Sequence, residues 1–79
     1  MKREEFDAQH KSRRIKHSLR EVPIGDSFFY ACERCGDVIP SAPAESESCS
    51  CGNVFMDVKM GGVALEFGFH SMSVFEVCK

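Results

Sequence analysis

Two closely spaced cysteine pairs constrain this chain more than any other feature. Four of its five cysteines lie within the stretch CERCGDVIPSAPAESESCSCG, which runs from Cys32 to Gly52. The first pair has two spacer residues, the second pair has one, and a glycine follows each pair. A chain of 79 residues buries a small core, so it usually needs a metal ion, a disulfide or a partner chain to stabilise it.

The two pairs have the composition of a metal site. Zinc prefers four soft or borderline ligands at tetrahedral corners, and two tight turns that each offer two sulfurs meet that need. The glycines that follow the pairs, Gly36 and Gly52, let backbone amides approach the thiolates without a side-chain clash. A site closed by four cysteines leaves no position for water or substrate, so we expect a structural role.

Two other chemistries also use paired cysteines. A thioredoxin-like redox pair opens a helix, whereas here Gly36 and the strand-like residues 37–39 follow the first pair. Disulfides between the pairs would need an oxidising compartment. The N-terminus has no apolar segment typical of a secretory signal, and no apolar run has the length of a membrane span, which predicts a cytoplasmic location where thiols stay reduced. Both chemistries are kept as alternatives to a metal.

The segments around the cysteines have the composition of short strands and a loop. Residues 27–31 are rich in aromatic side chains and predict a strand that leads into the first pair, with residues 37–39 as its return strand. Residues 40–48, PSAPAESES, predict a mobile surface loop. VFEVC, at residues 74–78, predicts a short third strand or an edge strand.

A hairpin is the clearest secondary-structure signal. Apolar residues alternate on both sides of Gly61 and Gly62, in NVFMDVKM and then in VALEFGF. A two-residue turn at the glycines would place the apolar residues of both strands on one face. The pairs it predicts are Met60–Val63, Val58–Leu65, Met56–Phe67 and Val54–Phe69.

The N-terminal segment differs from the rest in charge. Residues 1–20 carry seven basic and three acidic side chains, a net charge of +4, whereas residues 21–79 carry three basic and nine acidic side chains, a net charge of −6. Near-helical spacing of apolar residues predicts a helix over about 8–20, which the sequence VPIGD would end. We therefore divide the chain into a basic helical or partly disordered arm, 1–24, and a metal-binding domain, 25–79.

The order strand, cysteine pair, strand, loop, cysteine pair, hairpin over residues 27–69 resembles a zinc ribbon, and CERCGDVIPSAP…CSCGNVFMDV resembles small stand-alone zinc ribbons of bacteria. The one-residue spacer of the second pair departs from the usual two. The resemblance implies a small metal-stabilised β fold, with antiparallel strands and a C-terminal β-hairpin after the N-terminal basic helix or tail. It also implies one structural Zn²⁺ bound by Cys32, Cys35, Cys49 and Cys51.

The sequence favours a protein-interaction module over an enzyme. It contains no serine elbow, phosphate loop or H-E-x-x-H motif, and it is too short to enclose a deep pocket for a small-molecule substrate. Small acidic bacterial proteins of this size include immunity proteins that block a secreted toxin, an association of size and charge alone. The acidic residues that would face a basic toxin are Asp37, Glu45, Glu47 and Asp57.

Nucleic-acid binding is the alternative function. Zinc ribbons often bind nucleic acid, and the N-terminal arm could neutralise phosphates, although the acidic body would repel them. The basic residues that would contact the backbone are Lys11, Arg13, Arg14, Lys16 and Arg20.

Overall fold

The computed structural model of the chain describes residues 1–18 and 22–77, apart from the side chain of Phe69. One short helix, seven strands and a single 3₁₀ turn make up the described part. They are α1 (Arg3–Gln9), β1 (Ser12–Ile15), β2 (Phe28–Cys32), β3 (Val38–Pro40), β4 (Glu47–Ser48), β5 (Val54–Asp57), β6 (Gly62–Leu65), the 3₁₀ turn (Phe69–Ser71) and β7 (Met72–Val77).

The first sheet has the strand order β1-β7-β2-β3, and all its neighbours are antiparallel. The strands predicted before and after the first cysteine pair are confirmed as β2 and β3, which pair as a hairpin. The predicted third strand is also confirmed, but β7 lies inside the sheet between β1 and β2 rather than at its edge. Its burial explains this position, because Val74 and Phe75 are both buried.

The N-terminal helix prediction is wrong in its position. The helix covers Arg3–Gln9, and Ser12–Ile15 form a strand that pairs with β7 from Ser12↔Val77 to Ile15↔Val74. Helix α1 is held by Phe6, which is fully buried and packs against Phe29 and Phe75 at ring-centroid distances of 5.1 and 6.1 Å. The buried Phe6 side chain therefore fixes helix α1 against the first sheet. The N-terminal segment up to Ile15 packs on that sheet as well.

The second sheet contains the predicted hairpin, but in a different register. The observed pairs are Val54↔Leu65, Phe55↔Ala64, Met56↔Val63 and Asp57↔Gly62. The turn is a four-residue loop at 58–61, because the Asp57 carboxylate accepts hydrogen bonds from the backbone amides of Lys59 (3.0 Å) and Met60 (3.3 Å). Met56 therefore pairs with Val63 and not with Phe67, a register shift of four residues. Because four is an even number, the side chains of β5 keep their predicted faces. Met60 (82% exposed) and Phe67 (51% exposed) now lie outside the core.

A third strand and a packed interior complete the second sheet. Strand β4 lies on the other side of β5, where it pairs Glu47↔Met56 and Ser48↔Phe55, within the segment predicted as a loop. The larger core cluster contains buried residues of both sheets, including Tyr30 and Val74 from the first and Val54 and Met56 from the second. The two sheets therefore share one interior. Within residues 1–18 and 22–77, no helix has the length and apolar character needed to cross a membrane.

Candidate metal centre

The first cysteine pair lies on the turn between β2 and β3. Cys32 is the last residue of β2, and its carbonyl oxygen accepts a hydrogen bond from the Gly36 amide at 3.0 Å. Gly36 has a φ of 77°, a conformation that a residue with a Cβ rarely adopts. This turn brings Cys35 back beside Cys32, and it leads into a strand rather than into the helix that a thioredoxin-like pair requires.

The second pair lies on the turn between β4 and β5 and is built in the same way. The Gly52 amide donates to the Cys49 carbonyl oxygen at 3.0 Å, and Gly52 has a φ of 79°. The single spacer residue shortens this turn by one residue, and the glycine keeps the same backbone conformation as in the first turn. The one-residue spacer therefore makes the second turn smaller than the first. The sulfurs of Cys49 and Cys51 still lie in the four-sulfur cluster.

The two turns bring four sulfurs together. The Sγ atoms of Cys32, Cys35, Cys49 and Cys51 all lie within 4.8 Å of one another, a cluster that could hold a metal ion. Cys51 Sγ is 3.7 Å from Cys32 Sγ and 3.6 Å from Cys49 Sγ. All four cysteines are free, since these distances far exceed a disulfide bond of about 2 Å.

Groups outside the cysteines donate hydrogen bonds to the sulfurs. The backbone amides of Arg34 and Val54 point at Cys32 Sγ (3.4 Å) and Cys49 Sγ (3.2 Å). The side-chain amide of Asn53 points at Cys32 Sγ at 3.6 Å. Donors of this kind stabilise thiolates, the form of cysteine that binds metal ions.

The protonation of the cluster follows from these donors and from the crowding of sulfurs. Burial opposes ionisation of Cys32, but the backbone amides of Cys35 and Arg34 and the side chain of Asn53 outweigh it and lower the pKa of Cys32 to about 6. The backbone amide of Asn53 favours the thiolate of Cys51. Desolvation and the three neighbouring sulfurs have the larger effect and raise the pKa of Cys51 to about 12. The two pKa shifts place an ionised Cys32 beside a protonated Cys51 at neutral pH.

Asp37 connects the two turns. Its carboxylate accepts hydrogen bonds from the backbone amide of Ser50 at 2.8 Å and from the Ser50 hydroxyl, and it forms an ion pair with Lys2 at 3.3 Å. Hydrogen bonding by Ser50, which outweighs burial, and the nearby Lys2 ammonium lower the pKa of Asp37. Asp37 was predicted as a partner-binding residue, but its side chain is only 13% exposed and lies against the metal centre.

Asn53 is a site residue that sequence reasoning missed. It is buried, and its side-chain amide also donates to Ser71 Oγ at 2.8 Å, while its Oδ1 accepts from the Phe67 amide at 2.8 Å. The side chain thus links the second turn, the segment after β6 and the start of β7 to Cys32. Its position directly after Gly52 was the available signal, because a polar residue that begins an apolar strand needs partners once it is buried.

The other predicted partner-binding residues lie around β4. Glu45 and Glu47 are exposed, and Asp57 begins the hairpin loop that its own carboxylate caps. Glu47 and Asp57 lie on the neighbouring strands β4 and β5, and Glu45 lies in the loop before β4. Glu47 pairs with Met56, so strand alternation directs the side chains of Glu47 and Asp57 to opposite faces of the sheet. Asp37 does not belong to this group, because it is engaged with Ser50 and Lys2.

The basic residues of the alternative function are spread along β1 and its flanking residues. Lys11, Arg14 and Lys16 are exposed, whereas the Arg13 guanidinium forms an ion pair with Glu76 at 2.6 Å. Arg20 lies outside the described residues, and so does Cys78, the cysteine without a role in the predicted site. The described part of the segment thus presents three exposed cations and one cation that is paired across the β1–β7 ladder.

Together these observations define a small, mostly β protein that has two antiparallel sheets, one short N-terminal helix and a four-cysteine cluster able to hold a metal ion. Comparison of the chain with protein-family models, with curated proteins and with solved structures finds no match.

Proposed function

We propose that this protein is a non-catalytic module whose fold is held by one structural zinc ion and whose surface binds another protein. The observation that carries the first part is the four-sulfur cluster at the junction of the two sheets. A tetrahedral site with zinc–sulfur bonds of about 2.3 Å has sulfur–sulfur edges of about 3.8 Å. Two of the six sulfur–sulfur distances, 3.6 and 3.7 Å, are close to that value, and all lie within 4.8 Å.

Zinc fits the donors better than other common metals. An all-thiolate tetrahedral set selects zinc or an iron–sulfur centre over hard cations such as magnesium and calcium, which take oxygen ligands. The ion would offset the desolvation and the crowding of sulfurs that raise the pKa of Cys51. Four cysteine ligands fill a tetrahedral shell, so the ion would support folding and would not bind a substrate.

A matched pair of variants tests the structural role. Metal binding and folding are coupled in small domains, so we expect Cys35→Ser to remove the metal and the hydrogen-exchange protection of β5 and β6. Ser48→Ala, on the exposed strand β4 next to the centre, should retain both. Native protection of the hairpin in a metal-free Cys35→Ser protein would refute the structural role.

Binding to another protein is supported by the composition of the described surface. Exposed carboxylates of Glu45 and Glu47 lie on a loop and a two-residue strand, and Asp57 ends the neighbouring strand β5. Such a surface suits a basic partner, because complementary charge speeds association and selects partners. A secreted toxin with a basic cleft, which the protein would block without catalysis, is the partner we propose from the small size and acidic charge of the body.

Charge reversal tests this surface. A partner captured from the native host by the unaltered protein should be lost with Glu45→Lys/Glu47→Lys and retained with Glu5→Lys, an equally exposed change on α1. Equal capture by all three proteins would rule out the acidic surface. The nucleic-acid alternative is tested by oligonucleotide binding at low salt, where a basic arm should give a strongly salt-dependent affinity.

A further inference from the structure

The four sheet edges of the described part of the molecule differ in how they are protected. Unpaired edge strands tend to recruit further strands, and proteins usually block them with charges, prolines, coverage or short length. Strand β1 carries Arg13 and Arg14, β4 is two residues long, and β3 is covered by the N-terminal residues. Two backbone hydrogen bonds hold the N-terminal residues against β3. The Val38 amide donates to the Met1 carbonyl oxygen, and the Arg3 amide donates to the Gly36 carbonyl oxygen.

Among the residues that the structure describes, strand β6 has none of these protections. Its sequence, Gly-Val-Ala-Leu, contains no charge and no proline, and within residues 1–18 and 22–77 it pairs with β5 alone. The Glu66 amide donates to the Asn53 carbonyl oxygen at 3.0 Å, towards β5. Because backbone amides along a strand point alternately to opposite edges, those of Val63 and Leu65 point to the open edge.

We propose that the open edge of β6 binds β6 of a second copy of this chain in antiparallel orientation. Centred on Ala64, this pairing sets Val63 opposite Leu65 of the second copy, and Leu65 opposite its Val63. Each of these two pairs exchanges two hydrogen bonds through the amides that point to the open edge. The two sheets β4-β5-β6 then join as one continuous sheet across a two-fold axis, so no new edge of β6 is left open.

The side chains next to β6 complement themselves in this register. Ala64 meets Ala64 at the non-hydrogen-bonded position, where side chains come closest, and two methyl groups fit there without a clash. Glu66 lies opposite Gly62 of the second copy, beside the loop that carries the exposed Lys59. The same alignment brings Met60 (82% exposed) close to Phe67 of the second copy, whose equivalent here is 51% exposed. Opposite charges and exposed apolar groups therefore meet twice, once on each side of the axis.

A charge-swap series tests the pairing with the full-length, metal-loaded protein in analytical ultracentrifugation. The unaltered chain should show a concentration-dependent monomer–dimer equilibrium, since a four-residue edge is small for a permanent interface. Lys59→Glu and Glu66→Lys should each raise the dimer Kd by roughly threefold or more. The double variant Lys59→Glu/Glu66→Lys should restore the original Kd, because exchanging the two charges leaves opposite signs facing each other across the axis.

Two further variants separate this edge from any other surface. Ala64→Lys places like charges directly opposite one another and should abolish the dimer, whereas Lys11→Glu, an exposed change outside β6, should leave it unaltered. Amide spectra should show that both variants keep the fold. A chain that stays monomeric at its highest soluble concentration would overturn the proposal, and so would a dimer that Ala64→Lys leaves intact.

Discussion

At the scale of single residues, two polar side chains organise the four-cysteine cluster. Asn53 reaches Cys32, Ser71 and the Phe67 backbone, and Asp37 joins the first cysteine turn to Ser50 of the second. Neither residue is one of the four cysteines. The cluster therefore depends on residues that a cysteine motif does not include.

Asn53 is the residue whose loss should disturb the centre most without removing a ligand. Asn53→Ala leaves the Phe67 amide without its partner and removes a donor from Cys32, so we expect a loss of about 1–3 kcal/mol in unfolding free energy. Denaturant unfolding of the metal-loaded protein measures the loss, with the exposed Ser48→Ala as control. Equal stability of the two variants would contradict the role of Asn53.

The ion pair of Asp37 and Lys2 gives a second comparison, between a half-buried carboxylate and an exposed ammonium. Asp37→Ala frees the Ser50 amide and should speed transfer of the metal to a chelator. Lys2→Ala removes only an ion pair whose ammonium is 57% exposed, which is worth about 0.2–1 kcal/mol at most, so it should change the transfer rate little. Stopped-flow transfer to a coloured chelator measures both rates. A larger effect from Lys2→Ala than from Asp37→Ala would show that the hydrogen bonds to Ser50 do not secure the second turn.

Metal affinity should rise with pH, and the shifted pKa values of Cys32 and Cys51 set the pH range of the change. In the metal-free protein at neutral pH, Cys32 is ionised because its pKa is about 6, and Cys51 is protonated because its pKa is about 12. Binding a cation to Cys51 must release its proton, so the affinity falls as the pH falls, and more steeply below about pH 6, where Cys32 is also protonated. Chelator competition, corrected for the chelator's own protonation, measures this. An affinity independent of pH between neutrality and pH 6 would contradict it.

At the scale of elements, the sequence predicted what local patterns determine. The cysteine turns, β2 and β3 follow from spacing and alternation, and all are present. Of the inward face predicted for the hairpin, Val54 and Met56 are buried, whereas Met60 and Phe67 are exposed. The hairpin register was missed because the Asp57 side chain, and not the Gly61–Gly62 pair, closes the loop. The β1–β7 pairing joins residues far apart along the chain, from Ser12↔Val77 to Ile15↔Val74. No short-range sequence pattern encodes such a pairing.

Helix α1 provides the sharpest test of the corrected N-terminus. Phe6 is fully buried between the helix and the first sheet, so Phe6→Ala should cost about 3–5 kcal/mol of unfolding free energy. Glu5→Ala, on the exposed side of the same helix, should change it little. Thermal or denaturant unfolding measures the difference. Equal stability of the two variants would mean that the segment is a solvated arm after all.

At the scale of the whole molecule, the cysteine cluster lies where the two sheets meet. Cys32 ends a strand of the first sheet, and Cys49 and Cys51 follow and precede strands of the second. A core shared by both sheets is small in a chain of 79 residues, so a metal that ties them together would supply a large part of the stability. This arrangement carries no information about a binding partner, because a four-cysteine cluster can serve the fold alone and function is carried by other surface residues.

The central claim is that the four cysteines bind one zinc ion that holds the fold. Elemental analysis of the freshly purified, reduced protein, combined with circular dichroism before and after a strong chelator, tests it most directly. We predict one zinc per chain, lost together with the β-sheet signal and recovered with it when zinc is returned. A protein that contains little zinc and keeps its fold, or one that loses its zinc without unfolding, would contradict the claim.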